Sequence, residues 1–194
     1  MEYQMLDMIK KEMEVNSPLR DRRIFLNEEI DRDSIFKVIY WLDRLKVIDE
    51  NTGIKKPIEI VLDTYGGGAY HTLAVCSKLR SMIEKDGYEI ITTTHTTSFS
   101  GGFWILICGS KRRALTNSRI MVHNIISGSE GKHQDMIEDL EETQAIWIRL
   151  KKLVTDFTNI SDEKMEEIKR FKYDWYFWGD ECIKSEYKII DEII

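Results

Sequence analysis

No apolar run in this sequence is long enough to cross a bilayer. Phe103–Cys108, one of the most hydrophobic stretches, falls far short of the ~20 residues that a spanning helix needs. No strongly basic stretch is present either: 28 Lys and Arg are scattered among 34 Asp and Glu, for a net charge of −6. That pattern argues against nucleic acid and other polyanions as partners. Cysteine is scarce. Cys76, Cys108 and Cys182 are odd in number, far apart and without the paired spacing of a zinc site, so they read as reduced, partly buried thiols. The first residues, "MEYQMLDMIKKEMEVNSPLR", are charged and amphipathic and lack the apolar core of a signal peptide. These absences predict a cytoplasmic protein with no membrane, nucleic-acid or metal site. Internal repeats, low-complexity segments and an obvious domain boundary are lacking as well.

What is present is enough for a core: 194 residues, 42% of them hydrophobic, are expected to form one globular domain after the leader. "RIFL" (23–26) reads as a strand, and Asp33 is placed to cap a helix with Ile35, Val38, Ile39, Leu42 and Leu45 at helical spacing. "IEIVL" (58–62) is a continuous β-branched run, expected to be a strand buried on both faces. It ends in "DTYGGG", and a helix is expected from about Ala69 to Lys85. "YEIITTT" is the next strand, and "FWILIC" reads as a buried helix closed by Gly109. "RRAL" and "RIMVH" are short strands, and "SGSEGK" is a loop or hairpin. A long helix from Gln134 to Phe157, a helix capped near Ser161 and a terminal strand in "KIIDEII" complete the chain. The alternation predicts an α/β fold of stacked βαβ units with right-handed crossovers.

Two glycine-rich turns, "YGGG" and "SFSGG", each follow a strand and open a helix, so both belong at one edge of the sheet, where reacting groups gather. At such a turn Ser100 can expose its Oγ while the free N–H groups of the helix start face a developing oxyanion. Ser100-Gly101-Gly102 is half of a nucleophile elbow, and the same residues also suit an ordinary helix cap. A serine nucleophile needs a base, and His71, His95, His123 and His133 are available. His123 ends the apolar strand "RIMVH", where the backbone directs a side chain to that same edge. An acid must orient the imidazole. Asp174, set among Tyr173, Trp175, Tyr176, Phe177 and Trp178, is expected to have a partner, because a lone carboxylate among aromatics is costly.

With these residues in view, the chain from about Arg23 to Ile194 resembles the ClpP family, the serine peptidase subunits of Clp proteases within the ClpP/crotonase fold. "IEIVLDTYGGG" fills the place of the family's strand and Pro-Gly-Gly turn; "FSGGFWILICG" matches its Ala-Ser-Met-Gly helix start. "NSRIMVH" is nearly intact, "GSEGKHQD" resembles the glycine-rich handle strand, and "YDWYFWGDEC" and "IIDEII" match the aspartate turn and the closing segment. The resemblance implies an N-terminal segment (1–22) and a peptidase domain (23–194) with a head (about 23–122 and 159–194) and a protruding handle (about 124–158). It implies Ser100 as nucleophile, His123 as base, Asp174 as orienting acid, and the N–H groups of Gly67 and Gly101 as oxyanion hole, with no cofactor or metal. Unfolded polypeptide is the implied substrate. The implied assembly is a homo-oligomeric ring, heptameric or double heptameric, fed by a AAA+ Clp ATPase.

Departures accompany the matches. Tyr65 replaces the proline and Gly101 the methionine, Tyr173 and Trp175 replace an Asp-Arg pair involved in ring stacking, and Phe103 and Trp104 are bulkier than the family's residues. The last of these implies altered packing behind the nucleophile or an altered substrate pocket. The leader also differs from the family's axial segment. Two further readings stay open: a specialised maturation protease, for example of a viral capsid, and an inactive ring subunit retained for assembly. Acyl-CoA chemistry on the crotonase branch is disfavoured by the Ser, His and Asp set.

Overall fold

In the computed structural model, residues 18–194 are described; most of the leader, residues 1–17, lies outside them. Strand β1 (Arg23–Leu26) is followed by helix α1 (Arg32–Thr52), β2 (Ile58–Thr64), α2 (Ala69–Glu84), β3 (Ile90–Phe99), α3 (Gly101–Ile107) and β4 (Lys111–Ala114). Then come β5 (Arg119–Val122), α4 (His133–Phe157), α5 (Asp162–Phe171), β6 (Trp175–Trp178) and the short β7 (Glu192–Ile193). The result is the expected α/β fold. β1, β2, β3, β4 and β7 lie side by side and parallel, with β5 also pairing parallel to β3 and β6 antiparallel to β5.

β3 is the hinge of this topology. Its first half, Ile91–Thr94, pairs with β4, while Thr97–Phe99 pairs with β5, so the sheet forks along one strand. One face, with Ile24, Leu26, Ile58, Ile60, Leu62 and Ile90, is buried in the core. The opposite face is polar. Glu59 takes Arg23 Nε at 2.7 Å and Thr93 Oγ1 at 2.6 Å, and Glu192 binds Lys111 and Arg113 at 2.8 and 2.9 Å. The expectation that β2 is buried on both faces is therefore corrected: Val61 is buried, but Asp63 is exposed and Glu59 is half-buried in a ladder of ion pairs. The threonine run of β3 is compatible with burial because its hydroxyls are bonded, Thr92 Oγ1 to the Leu106 carbonyl at 2.6 Å and Thr94 to Ser98 at 2.8 Å.

Several boundaries differ from expectation. The N-cap of α1 is Asp31, whose Oδ1 accepts from the N–H groups of Asp33 and Ser34, while Ser34 Oγ accepts from Asp31 N. Residues 124–132 form no strand, so the handle-strand expectation is not met in this single chain. The first ten residues of α4 are exposed all round; its buried positions begin at Ile146. β6 was not foreseen as a strand. The closing strand shrinks to two residues because Asp191 takes the place of ladder contacts, its Oδ2 accepting from Arg112 N at 2.9 Å and Arg112 Nε at 3.0 Å. Among the described residues, no helix is long and apolar enough to cross a membrane and no group of ligands could hold a metal.

One ion pair ties three elements together. Arg22, just before β1, donates to both oxygens of Asp49 near the end of α1, at 2.9 and 2.7 Å, and to the carbonyls of Lys56 and Pro57 before β2. Asp49 is 3% exposed. Removing one partner of a buried pair strands the other charge, which costs about 3–5 kcal/mol. Asp49→Ala is therefore expected to lower stability by about that amount, read as a shift of the urea midpoint at unchanged slope.

Candidate active site

The two glycine turns meet. Gly66 (φ 100) and Gly67 (φ 151) occupy backbone conformations that L side chains rarely adopt. A Cβ on Gly66 would fall 2.7 Å from Ser100 Cβ, and one on Gly67 would fall 2.3 Å from the Ile30 carbonyl oxygen. The turn is thus squeezed between the chain entering α1 and the elbow ending β3. Ile30 N donates to Gly66 O at 2.8 Å and Gly68 N to Ile30 O at 2.7 Å. In that parallel pattern the N–H of Gly67 faces away from Ile30.

Ser100 itself has φ 51 and ψ −119, a strained conformation for a residue with a side chain. Its N–H donates to Met121 O at 3.0 Å and its carbonyl accepts from Phe103 N at 2.9 Å, which hold the elbow against β5 and α3. Ser100 is the N-cap residue of α3, yet its hydroxyl makes no capping bond. The ordinary reading of this serine as a cap is therefore not met, and the N–H of Gly101 carries no cap. Gly101 also has no room for a longer side chain: a Cβ there would meet Thr72 Oγ1 at 2.4 Å and Ile30 Cδ1 at 2.8 Å.

His123 follows β5 directly and Asp174 precedes β6 directly. The antiparallel register pairs Val122 with Trp175, so the next position sets His123 opposite Asp174. His123 Nδ1 lies 3.8 Å from Asp174 Oδ1, an ion-pair distance longer than a hydrogen bond. The imidazole is 13% exposed and the carboxylate 50%, so Asp174 is not enclosed by its aromatic neighbours as expected. Alternation along β6 is the reason: Phe177 turns into the core while Tyr176 and Trp178 face outward. Burial pushes the His123 imidazole down, the Asp174 charge pulls it back up, and the net position is below 6.5.

Ser100, His123, Asp174, Gly67 and Gly101 all line one cleft of about 1050 Å³. His71, His95 and His133 do not line it: His71 stands beside Gly68 in the first turn of α2, His95 lies within β3, and exposed His133 begins α4. Sequence reasoning missed several neighbours. Tyr65, 78% exposed, meets Phe99 edge-on at 5.5 Å, and Phe99 meets Tyr176 at 5.6 Å. Glu28, Glu29 and Asp63 line the cleft too, and among the described residues no Lys or Arg does. Only the topology unites these residues; no local motif carries them.

The profile of the family described as Clp protease matches residues 9–194. The chain belongs to the Clp protease family. It is similar to the ATP-dependent Clp protease proteolytic subunit 1 of Prochlorococcus marinus (strain NATL2A), with 29% identity over 90% of this chain and 84% of the relative. It is also similar to the ATP-dependent Clp protease proteolytic subunit 2 of Synechococcus sp. (strain CC9605), with 26% identity over 91% and 84%. Family membership makes the chain a Clp-type peptidase by descent.

The His123 shift has a direct readout. Its ring resonances are expected to titrate below pH 6.5 in NMR, and Asp174→Asn is expected to move the midpoint lower still, because the charge that favours the imidazolium is gone. A midpoint that rises in the variant would contradict the pairing.

Proposed function

We propose that this chain is a serine endopeptidase of the Clp type, hydrolysing peptide bonds of unfolded polypeptides. The observation that carries the reading is the strained, uncapped Ser100 at a helix start, in one cleft with the facing His123 and Asp174. Ser100 Oγ attacks the peptide carbonyl as His123 takes its proton, and the negative charge that forms on the carbonyl oxygen is met by the N–H groups of Gly67 and Gly101. His123, protonated in that step, then returns the proton to the leaving amine, whose bond to the carbonyl carbon breaks to leave the acyl-enzyme. Water, deprotonated by His123, attacks the acyl-enzyme and releases the second product. Asp174 orients the imidazole and stabilises its cation. No cofactor or metal enters these steps.

Residues 23–122 and 159–194 serve as the head and about 124–158 as the handle, in a homo-oligomeric ring in the cytoplasm, heptameric or double heptameric. Exposed Met136, Ile137 and Leu140 on the first turns of α4 support assembly, because apolar side chains on a projecting helix need a partner. The relatives' names include "ATP-dependent", which supports a AAA+ ATPase as a feeding partner. The 3.8 Å between His123 and Asp174 supports a site that tightens on assembly or substrate binding, since catalytic hydrogen bonds often shorten only in the complex.

A fluorophosphonate probe followed by peptide mapping tests the assignment. A single adduct on Ser100, absent in His123→Ala, is expected, and Ser100→Ala should lower peptide hydrolysis at least ~10,000-fold. Hydrolysis untouched by Ser100→Ala overturns the reading; an assembled ring that takes no probe and cleaves no peptide establishes the inactive subunit instead. Light scattering is expected to show an oligomer, and a stable monomer at working concentration would remove the ring.

A further inference from the structure

Within the reading of Asp174 as the acid that orients His123, on which this step rests, the carboxylate has to be held in place by something. Among the described residues nothing donates a hydrogen bond to Asp174, which is half exposed and meets His123 Nδ1 only at 3.8 Å. Its placement therefore depends on the residues that flank it. Lys172 closes α5 in the left-handed conformation (φ 54), its N–H donating to Ile168 O at 2.9 Å, and only Lys172–Asp174 separate α5 from β6. Tyr173 and Trp175 are thereby brought to the side of α5 that carries Lys164 and Glu167. Lys164 Nζ stands 5.3 Å from the Tyr173 ring centroid and 4.9 Å from that of Trp175. The same ammonium donates to both oxygens of Glu167 at 3.1 Å, and Tyr173 Oη donates to Glu167 Oε1 at 3.0 Å. Trp175 also packs on Phe177 and Tyr187, with centroids 4.4 and 5.4 Å apart. An isolated surface ion pair is a weak restraint. Here several contacts share one ammonium, which is 33% exposed, and the helix beneath it is anchored by fully buried Met165 and Ile168.

We propose that Lys164 is a positioning residue: by gripping Tyr173 and Trp175, the residues before and after Asp174, it holds the turn that presents Asp174 to His123. Glu167 serves the same clamp, fixing the ammonium and accepting from Tyr173. The device lies within one chain, linking α5 to the start of β6. Loss of Lys164 frees the turn on both sides of Asp174, and the carboxylate then spends less time near the imidazole. The imidazolium loses the charge that favours it, so the His123 midpoint falls. A purely electrostatic role for Lys164 has the opposite sign, because removing a cation by itself favours the imidazolium.

The test follows the His123 ring resonances by NMR across pH in the full-length protein, comparing the wild type with Lys164→Met, Lys164→Arg, Tyr173→Phe and Asp174→Asn. Methionine suits a helix as well as lysine does and removes the charge. Lys164→Met is expected to move the midpoint down, toward that of Asp174→Asn. Tyr173→Phe, which removes only the bond to Glu167, should move it down by less, and it keeps the test decisive if Lys164→Met does not fold. Lys164→Arg, still a cation that stacks on aromatic rings, should stay with the wild type. In peptide hydrolysis Lys164→Met should lower kcat by about 10- to 100-fold with KM little changed, the scale that a small misplacement produces. A midpoint unmoved in Lys164→Met and Tyr173→Phe, or one that rises in Lys164→Met, overturns the proposal while leaving Asp174 in its role. A midpoint unmoved in Asp174→Asn removes the orienting role of Asp174 and this positioning step together.

Discussion

The close approach of two backbones governs the cleft. Between Ile30 and Ser100 there is room for a bare glycine turn and nothing wider, since a Cβ on Gly66 or Gly67 would overlap one neighbour or the other. Because the turn is that thin, β2 and β3 can end level with each other and their following helices can open from a common edge. The strain at Ser100 belongs to the same arrangement. A residue at φ 51 persists where its surroundings over-determine it, and here the Met121 carbonyl, the first turn of α3 and Gly66 do so together.

The second arm of the cleft has a separate origin in the fork of β3. Pairing Thr97–Phe99 with β5 instead of β4 carries β5 to the elbow, and β6, antiparallel to it, brings Asp174 back to the position facing His123. His123 and Asp174 are thus set by sheet register, while Ser100 is set by a turn. A turn locked by backbone contacts is stiff; the point where a four-residue strand begins is less so. The 3.8 Å gap lies in the more pliable arm.

Much of this was legible in the sequence because it rests on local rules. The βαβ alternation, the glycine turns and the helix spans follow from periodicity and turn chemistry, and most boundaries moved by only a few residues. Failures came where tertiary contacts override local signals. "WYFW" reads as an aromatic turn but is a strand, because β5 offers it a ladder. "KIIDEII" reads as a strand but mostly is not, because the Asp191 side chain occupies Arg112. Asp31 displaced Asp33 as cap because Ser34 reciprocates across the right interval. Ser100, His123 and Asp174 were each readable only as candidates, since a serine at a helix start and a histidine at a strand end are common.

Glycine at position 101 shows how such departures should be weighed. Beside the methionine that the resemblance places there, it suggests a loosened backbone. In the folded chain the space is taken by Thr72, itself anchored by its hydroxyl to the Gly68 carbonyl at 3.0 Å, and by Ile30. Thr72 and Ile30 thus fill the space beside Gly101. Tyr65 follows a related logic at the other turn. Proline would stiffen that turn through its ring; tyrosine cannot, but its edge contact with Phe99 ties the turn to the residue before Ser100. Both substitutions exchange a local restraint for one that spans two elements, and both act on the same pair of turns.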